Sequence, residues 1–148
     1  MKIRNWWLFV AGWMSVGVGI LHIGMGFSRQ WSAYFGAPPQ VLRLYDTARW
    51  QWSALFAVMV GIFVIWGMYG LSGSGRIRRL PLLRPALIAI GGIYTLRGLA
   101  LFPEIVSRLG LLSMAVPPQE IASSLASLTI GVCYVVGVFG MRTVTANP

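Results

Sequence analysis

Very few side chains in this sequence could take part in chemistry. The chain has one histidine and three acids among its 148 residues. His22 could act as a general acid or base, Asp46 could set its tautomer, and Arg97 could hold an oxyanion. Such a trio would suit isomerisation or hydrolysis. Because one histidine and one aspartate on different segments form no motif, a membrane enzyme is an alternative here and not the main hypothesis.

Arg97 is the most unusual of these residues. It lies in GGIYTLRGLALF, residues 91–102, a stretch that is otherwise apolar enough for a lipid bilayer. An ionised side chain in a membrane span costs about 2.5 to 3.5 kcal/mol on insertion scales, so it needs partners. Its permanent positive charge suits a carboxylate, a phosphate or a quinone oxygen. The competing interpretation is that Arg97 only locks neighbouring helices together.

The sequence offers no ligand set for a metal ion or a haem. It contains one histidine and a single cysteine, Cys133, and structural metal sites usually need four such ligands. We therefore predict no metal site, and the sequence indicates no particular cofactor. A lone cysteine also excludes an internal disulfide.

The elements that must position these residues are membrane spans. The chain is 57% hydrophobic and only 10% charged, whereas soluble proteins are about a quarter charged. Four apolar segments reach the roughly 20 residues that a helix needs to cross a bilayer. They cover residues 6–27, 52–71, 85–102 and 121–141.

These segments predict an all-α polytopic membrane protein. The apolar runs are continuous and lack the alternation of membrane β-strands, which excludes a barrel. We expect a four-transmembrane-helix bundle that forms one domain over residues 1–148. Two outer loops should carry short amphipathic helices, within residues 36–52 and 103–112.

The positive charges indicate an orientation. The net charge is +9, and the basic side chains are unequally divided between the two sides of the predicted bundle. Seven fall on the side of the termini, namely Lys2, Arg4, Arg76, Arg78, Arg79, Arg84 and Arg142. Four fall on the other side, namely Arg29, Arg43, Arg49 and Arg108. The positive-inside rule then predicts a bacterial cytoplasmic membrane with both termini in the cytoplasm.

The basic cluster in residues 73–84 does not predict a nucleic-acid partner. No aromatic residue is interleaved with its arginines, and base stacking needs such residues. Contact with the lipid bilayer explains this cluster more simply.

Each span also carries a stripe of polar or small residues. Residues three or four apart share a helix face, and we expect these faces to point inward, where small residues permit close packing or self-association into a homo-oligomer. The stripes are Ser15, Gly19, His22 and Gly26; Ser53, Ala57 and Gly61; Tyr94, Arg97, Leu101 and Glu104; and Glu120, Ser124, Ser127, Gly131 and Tyr134.

A polar site in the outer half of the bundle follows from these faces. Arg97 could pair with Asp46, Glu104, Glu120, hydroxyls or water. Glu104 shares the face of Arg97 but is two turns away, about 10 Å along the axis, so Asp46 or Glu120 is the better candidate. The expected site is a partly hydrated cavity that opens outward. Its candidate ligand-binding residues are His22, Asp46, Arg49, Trp50, Tyr94, Arg97 and Glu120.

The main functional hypothesis is a non-catalytic membrane module. It would bind a small lipophilic or anionic ligand, such as a lipid or a quinone, or serve as the accessory subunit of a membrane complex. The alternatives are the enzyme built on His22, Asp46 and Arg97, and a small transporter. Proton-coupled four-helix exporters use a carboxylate within a span, and the apolar cores of these spans contain none, so the likeness ends at size and topology.

Overall fold

The computed structural model describes residues 5–110 and 117–143, and these residues form helices without any strand. In chain order the helices are α1 Trp6–Phe27, α2 Arg29–Tyr34, α3 Pro39–Thr47, α4 Arg49–Gly73, α5 Leu83–Gly98, α6 Leu101–Arg108 and α7 Pro118–Thr143. Lys2, Arg4 and the side chain of Arg142, which contribute to the predicted charge bias, lie outside the described residues.

Four candidate spans are long and apolar enough to cross a membrane: Trp6–Phe27, Arg49–Gly73, Leu83–Arg108 and Pro118–Met141. The first has the predicted bounds, and the second and fourth begin three residues earlier than predicted. The chain is thus an integral membrane protein, and the predicted all-α bundle of four spans is confirmed.

The short helices predicted in the loops are also present. The Pro38–Pro39 pair opens α3, with Pro39 in the first turn, where a missing N–H is harmless. α2 was not predicted. It begins because the Ser28 hydroxyl accepts a hydrogen bond from the N–H of Trp31 at 3.3 Å, which caps its first turn.

The third span is broken, contrary to the prediction of one helix over residues 85–102. α5 ends at Gly98 and α6 begins at Leu101. Pro103 explains the break, because its ring lacks an N–H and clashes with a preceding helical turn, whereas the first turn of a new helix tolerates it. Arg97 therefore lies in the last turn of α5, and Glu104 lies on a separate short helix.

The long helices form a bundle of antiparallel neighbours. α1 packs mainly against α4, and α5 packs mainly against α7, while contacts of α1 with α7 and of α4 with α5 join the two pairs. We call the end with Asn5 and the α4–α5 connection the terminal end. There the Asn5 Nδ2 donates to the carbonyl oxygen of Gly137 at 2.7 Å. The end with α2, α3 and α6 is the distal end.

Glycines bring the helix backbones close together in both pairs. A Cβ at Gly70 of α4 would lie 2.7 Å from the Cα of Gly12 in α1. A Cβ at Gly98 of α5 would lie 2.5 Å from the Cα of Leu128 in α7. Neither contact leaves room for a side chain, as expected for membrane helices that pack through small residues.

Polar groups from all four spans meet in the middle of the bundle. The Tyr134 hydroxyl donates to the Trp66 carbonyl oxygen at 2.8 Å and lies 3.1 Å from the Ser15 Oγ. Tyr94 stacks parallel to Tyr134 with a centroid distance of 6.0 Å. The Tyr94 hydroxyl is buried there and has no hydrogen-bond partner in the described part of the chain.

A second apolar cluster closes the distal end over α1 and α4. Met25, Trp52 and Phe56 are its buried members, and side chains of α3 pack against them. Trp52 Nε1 donates to the Gly26 carbonyl oxygen at 2.8 Å, and Ser32 Oγ donates to the Met25 carbonyl oxygen at 2.7 Å. These bonds satisfy carbonyl groups that the end of α1 leaves without helical partners.

The predicted inward faces are confirmed for the first and fourth spans, wrong for the second, and only partly correct for the third, where Tyr94 is buried but Arg97 is exposed. Ser15, Gly19, Ser124 and Gly131 are buried as expected. In α4, Ser53 and Ala57 are exposed, and the buried face instead contains Trp52, Phe56, Gly67 and Gly70. The two aromatic side chains bury more apolar area than the small residues could, so they determine which face of α4 turns inward.

Candidate functional site

Arg97 reaches across from α5 to α7. Its Nη1 donates to Ser124 Oγ at 2.8 Å, and its Nη2 donates to Ser123 Oγ at 3.1 Å. The side chain is nevertheless exposed at the surface of the protein. Because Arg97 is in the last turn of α5, its positive charge is also favourable near the negative end of the helix dipole.

Ser124 connects Arg97 to Glu104, which lies on the short helix α6 after the break in the third span. The Ser124 hydroxyl donates to Glu104 Oε1 at 2.8 Å, so the same oxygen accepts from the guanidinium and donates to the carboxylate. Bonds to charged groups are stronger than neutral ones, and Ser124 is fully buried. We call Arg97, Glu104, Ser123 and Ser124 the Arg97 cluster.

The charges of the Arg97 cluster do not touch. Among the described residues the only ion pair joins Arg29 to Asp46, at 3.5 Å. Glu104 Oε2 is buried and has no hydrogen-bond partner within residues 5–110 and 117–143. The Arg97 guanidinium is thus bound by two serine hydroxyls. The Glu104 carboxylate, which balances its charge, is linked to it through Ser124.

The two preferred partners of Arg97, Asp46 and Glu120, were wrong, whereas hydroxyl groups, which were among the possible partners, do bind it. Asp46 pairs with Arg29 on the exposed surface of the distal end. The Glu120 carboxylate lies beside Gly36, with Oε1 3.4 Å from the position of a Cβ there, and only the Glu120 backbone carbonyl takes part by accepting from Ser123 at 2.9 Å. The break after Gly98 lets α6 pack against α7, which brings Glu104 within reach of Ser124.

His22 lies in an aromatic environment on α1. Its Nδ1 is 2.8 Å from the Val18 carbonyl oxygen, and its ring is 4.7 Å from that of Phe63. A carbonyl oxygen can only accept, so Nδ1 carries a proton. Asp46 does not set this tautomer, because it pairs with Arg29. The described residues therefore do not assemble the trio that the enzyme alternative requires.

The remaining candidates lie in two places, the middle of the bundle and the start of α4. Tyr94 belongs to the middle of the bundle, where it is only 4% exposed. The Arg49 guanidinium lies 3.9 Å from the ring centroid of Tyr45, an arrangement typical of a cation–π contact. Trp50 is 73% exposed. In the described part of the chain, no hydrogen bond, ion pair or ring contact joins any two of the seven residues predicted for the site.

Sequence reasoning missed the serine pair that binds Arg97. Ser124 was placed on the inward stripe of the fourth span but not in the site, and Ser123 was not considered. The available signal was the adjacent pair Ser123–Ser124 within an apolar helix, since hydroxyls in membrane spans commonly bond across helices.

Metal ligation has no support among residues 5–110 and 117–143, where no three His, Cys, Asp or Glu side chains are grouped closely enough to hold an ion.

Comparison with protein-family models, with curated proteins and with solved structures gives no significant match.

Proposed function

We propose that this protein is a non-catalytic membrane module that binds a small lipophilic ligand with an anionic or carbonyl head group at Arg97. The observation that carries the proposal is the exposed guanidinium, fixed by two serine hydroxyls and without any direct ion pair among the described residues. The ligand would come from the bilayer itself, as a lipid or a quinone would, and binding could serve a larger membrane complex or a homo-oligomer.

The donors of Arg97 support this proposal. A guanidinium has five N–H donors, and the two hydrogen bonds to Ser123 and Ser124 use one donor on each terminal nitrogen. The other donors belong to a side chain at the protein surface. A charge held at membrane depth without a direct counter-ion is costly, so a carboxylate, phosphate or quinone oxygen there would be stabilised.

The surroundings of Arg97 suit an amphiphile. Leu96 precedes it and is 71% exposed, and Leu125 follows Ser124 and is 53% exposed. These side chains belong to α5 and α7, whose packing also positions the cluster. An acyl or isoprenoid chain could lie along this apolar surface while its head group meets the guanidinium.

We further propose that the protein resides in a bacterial cytoplasmic membrane with its terminal end in the cytoplasm. The positive-inside rule supports this, since the terminal end has seven of the twelve basic residues. In that orientation Arg97 would take its ligand from the outer leaflet.

The test compares oleate with oleyl alcohol, which has the same chain but no charge. We expect oleate to bind the wild-type protein in neutral detergent with measurable affinity and oleyl alcohol to bind much more weakly, by native mass spectrometry. Arg97→Gln should weaken oleate binding by about tenfold to a hundredfold, because hydrogen bonds to charged groups contribute about 1.5 to 3 kcal/mol.

Arg43→Gln is the matched control, since Arg43 is an exposed arginine of the same distal end. This variant should bind oleate as the wild type does. Equal oleate affinities of the wild type and Arg97→Gln would refute the proposed site and leave Arg97 as a helix-packing residue.

A further inference from the structure

The connection between α4 and α5 concentrates positive charge at the terminal end. Arg76, Arg78 and Arg79 lie in the connection and Arg84 lies in the first turn of α5, and all four are exposed. No acid balances them locally, because the three acids of the whole chain are Asp46 on α3, Glu104 on α6 and Glu120 in the first turn of α7. The two ends of the bundle therefore differ strongly in charge.

This connection is fastened to the end of α4. The buried Ser72 hydroxyl accepts from the N–H of Leu80 at 3.0 Å and donates to the Arg78 carbonyl oxygen at 3.0 Å. The Tyr69 hydroxyl donates to the Pro81 carbonyl oxygen at 3.3 Å. These three bonds fix the backbone on both sides of Arg79, so the arginines extend from an ordered turn.

Leu82 has an unusual conformation in the same segment. Its φ of 50° is the only positive φ of a non-glycine residue in the described chain, and a leucine in this region is sterically unfavourable. Its side chain is 77% exposed, so contacts within the protein do not compensate for the strain. Strain of this kind commonly marks a site with another role.

Arg84 is likewise not placed to stabilise its own helix. It is the second residue of α5, whose first turn contains no acid. A cation near the positive end of a helix dipole is unfavourable. An external anion would remove this repulsion together with that among the neighbouring arginines.

We propose that residues 76–84 form a binding site for the phosphate groups of anionic phospholipids. The arginines donate to the phosphate oxygens in the interfacial region of the leaflet at the terminal end, and Leu82 inserts between the acyl chains. The position at the end of two membrane spans places this segment at a bilayer surface, and bidentate recognition of phosphate by arginine is geometrically favoured. This site is independent of the ligand proposed for Arg97, which lies at the opposite end.

A lipid suits this segment better than other anions do. An exposed leucine between arginines matches the layered chemistry of a bilayer, where charged head groups adjoin acyl chains. Nucleic acid would require exposed aromatic residues for stacking, and the connection from residue 74 to residue 82 has none.

The first experiment measures lipid affinity by native mass spectrometry with phosphatidylglycerol and with zwitterionic phosphatidylcholine. The double variant Arg78→Gln/Arg79→Gln should bind phosphatidylglycerol about twentyfold more weakly than the wild type, since each arginine near an anionic surface contributes about fivefold. Its phosphatidylcholine affinity should not change. The control Arg43→Gln/Arg108→Gln removes the same charge from the distal end and should leave phosphatidylglycerol binding within about twofold of the wild type.

The second experiment tests the insertion of Leu82. On a Cys133→Ala background, Leu82→Cys is labelled with a fluorophore and quenched in vesicles with acrylamide, which is neutral and therefore not repelled by an anionic surface. Protection from acrylamide should be at least about threefold greater in phosphatidylglycerol than in phosphatidylcholine. Equal phosphatidylglycerol affinities of the wild type and the arginine double variant would overturn the proposal, as would a label equally accessible to acrylamide in both lipids. Oleate binding at Arg97 should be unaffected by these variants, so the two proposals can fail separately.

Discussion

Two buried tyrosines share the middle of the bundle, but only Tyr134 forms hydrogen bonds there. It donates to the Trp66 carbonyl oxygen, which leaves the Ser15 hydroxyl to donate to the Tyr134 oxygen at 3.1 Å. The Tyr94 hydroxyl is buried and has no partner. The two rings are therefore packed similarly, but among the described residues the Tyr134 hydroxyl forms hydrogen bonds and the Tyr94 hydroxyl does not.

Replacing each tyrosine with phenylalanine should therefore affect the free energy of unfolding differently. Tyr134→Phe should lower the free energy of unfolding by about 1 kcal/mol, because it removes two hydrogen bonds and leaves Ser15 unpaired. Tyr94→Phe should be neutral or slightly stabilising, since it removes an unsatisfied buried group. Unfolding by dodecyl sulfate in mixed micelles measures both. A larger loss for Tyr94→Phe than for Tyr134→Phe would contradict this account.

Ser124 is the residue on which the Arg97 cluster depends most. Ser124→Ala removes the hydroxyl that contacts both the guanidinium and the Glu104 carboxylate. We expect it to lower the free energy of unfolding by about 1.5 to 3 kcal/mol, the range for hydrogen bonds to charged groups. Ser123→Ala should lower it by less than about 1 kcal/mol, because the released Arg97 nitrogen is exposed and can reach water. Similar losses in the same micelle unfolding assay would show that Ser124 has no special bridging role.

At the residue scale, the sequence was sufficient to single out Arg97 but not to find its partners. An arginine in an apolar run is conspicuous whatever surrounds it. Its partners depend on how α5 is rotated against α7 and on the break after Gly98, and neither follows from helical spacing alone. Hydroxyls were among the possible partners, but Asp46 and Glu120 were preferred because each lies at the distal start of another span.

At the scale of helices, α4 shows why a stripe of small residues does not identify a packing face. Gly61 was predicted to point inward, but nothing lies within 4 Å of a Cβ placed there. Gly70 was not on the predicted stripe, yet it contacts α1 more closely than any side chain would allow. Both are glycines within one apolar helix, and the contacts with the neighbouring helix show which of them packs.

The two glycines of α4 provide a matched pair of alanine substitutions. Gly70→Ala should lower the free energy of unfolding by about 1 to 3 kcal/mol, because the new Cβ would meet the backbone of Gly12, which has no flexible side chain to move away. Gly61→Ala should be neutral or raise it by up to about 1 kcal/mol, through the better helix propensity of alanine. Thermal unfolding in detergent measures the two effects. A destabilising Gly61→Ala would indicate that this face packs against another chain.

The break in the third span belongs to the same scale. Hydropathy identified the span correctly, since its apolar character continues from α5 into α6. The third span was predicted to continue to residue 102, but α5 ends at Gly98, one turn earlier. Glu104 lies on the separate helix α6, which packs against α7, and its Oε1 accepts from Ser124. Arg97 itself donates to serines of α7, so the error in the helix bound does not by itself explain why its partners were wrongly predicted.

At the scale of the whole molecule, charge separates the two ends of the bundle. The distal end contains the three acids and four arginines, and the terminal end has the arginines of the α4–α5 connection without any acid. Packing within the bundle does not require this asymmetry, since the four arginines are exposed. A membrane explains the asymmetry physically. Its cytoplasmic leaflet is anionic, and loops rich in positive charge are retained on the cytoplasmic side.

The asymmetry predicts the orientation of the chain in a bacterial membrane. Green fluorescent protein fused after residue 148 should fluoresce and alkaline phosphatase fused there should be inactive, because both termini should be cytoplasmic. Alkaline phosphatase inserted after Gly36, between α2 and α3, should be active.

Replacing Arg76, Arg78, Arg79 and Arg84 with glutamine leaves three basic residues at the terminal end against four at the distal end, so some molecules should insert inverted and C-terminal phosphatase activity should appear. Removing the four distal arginines should not have this effect. If C-terminal phosphatase is active in the wild type, the terminal end faces away from the cytoplasm, and Arg97 would then take its ligand from the cytoplasmic leaflet.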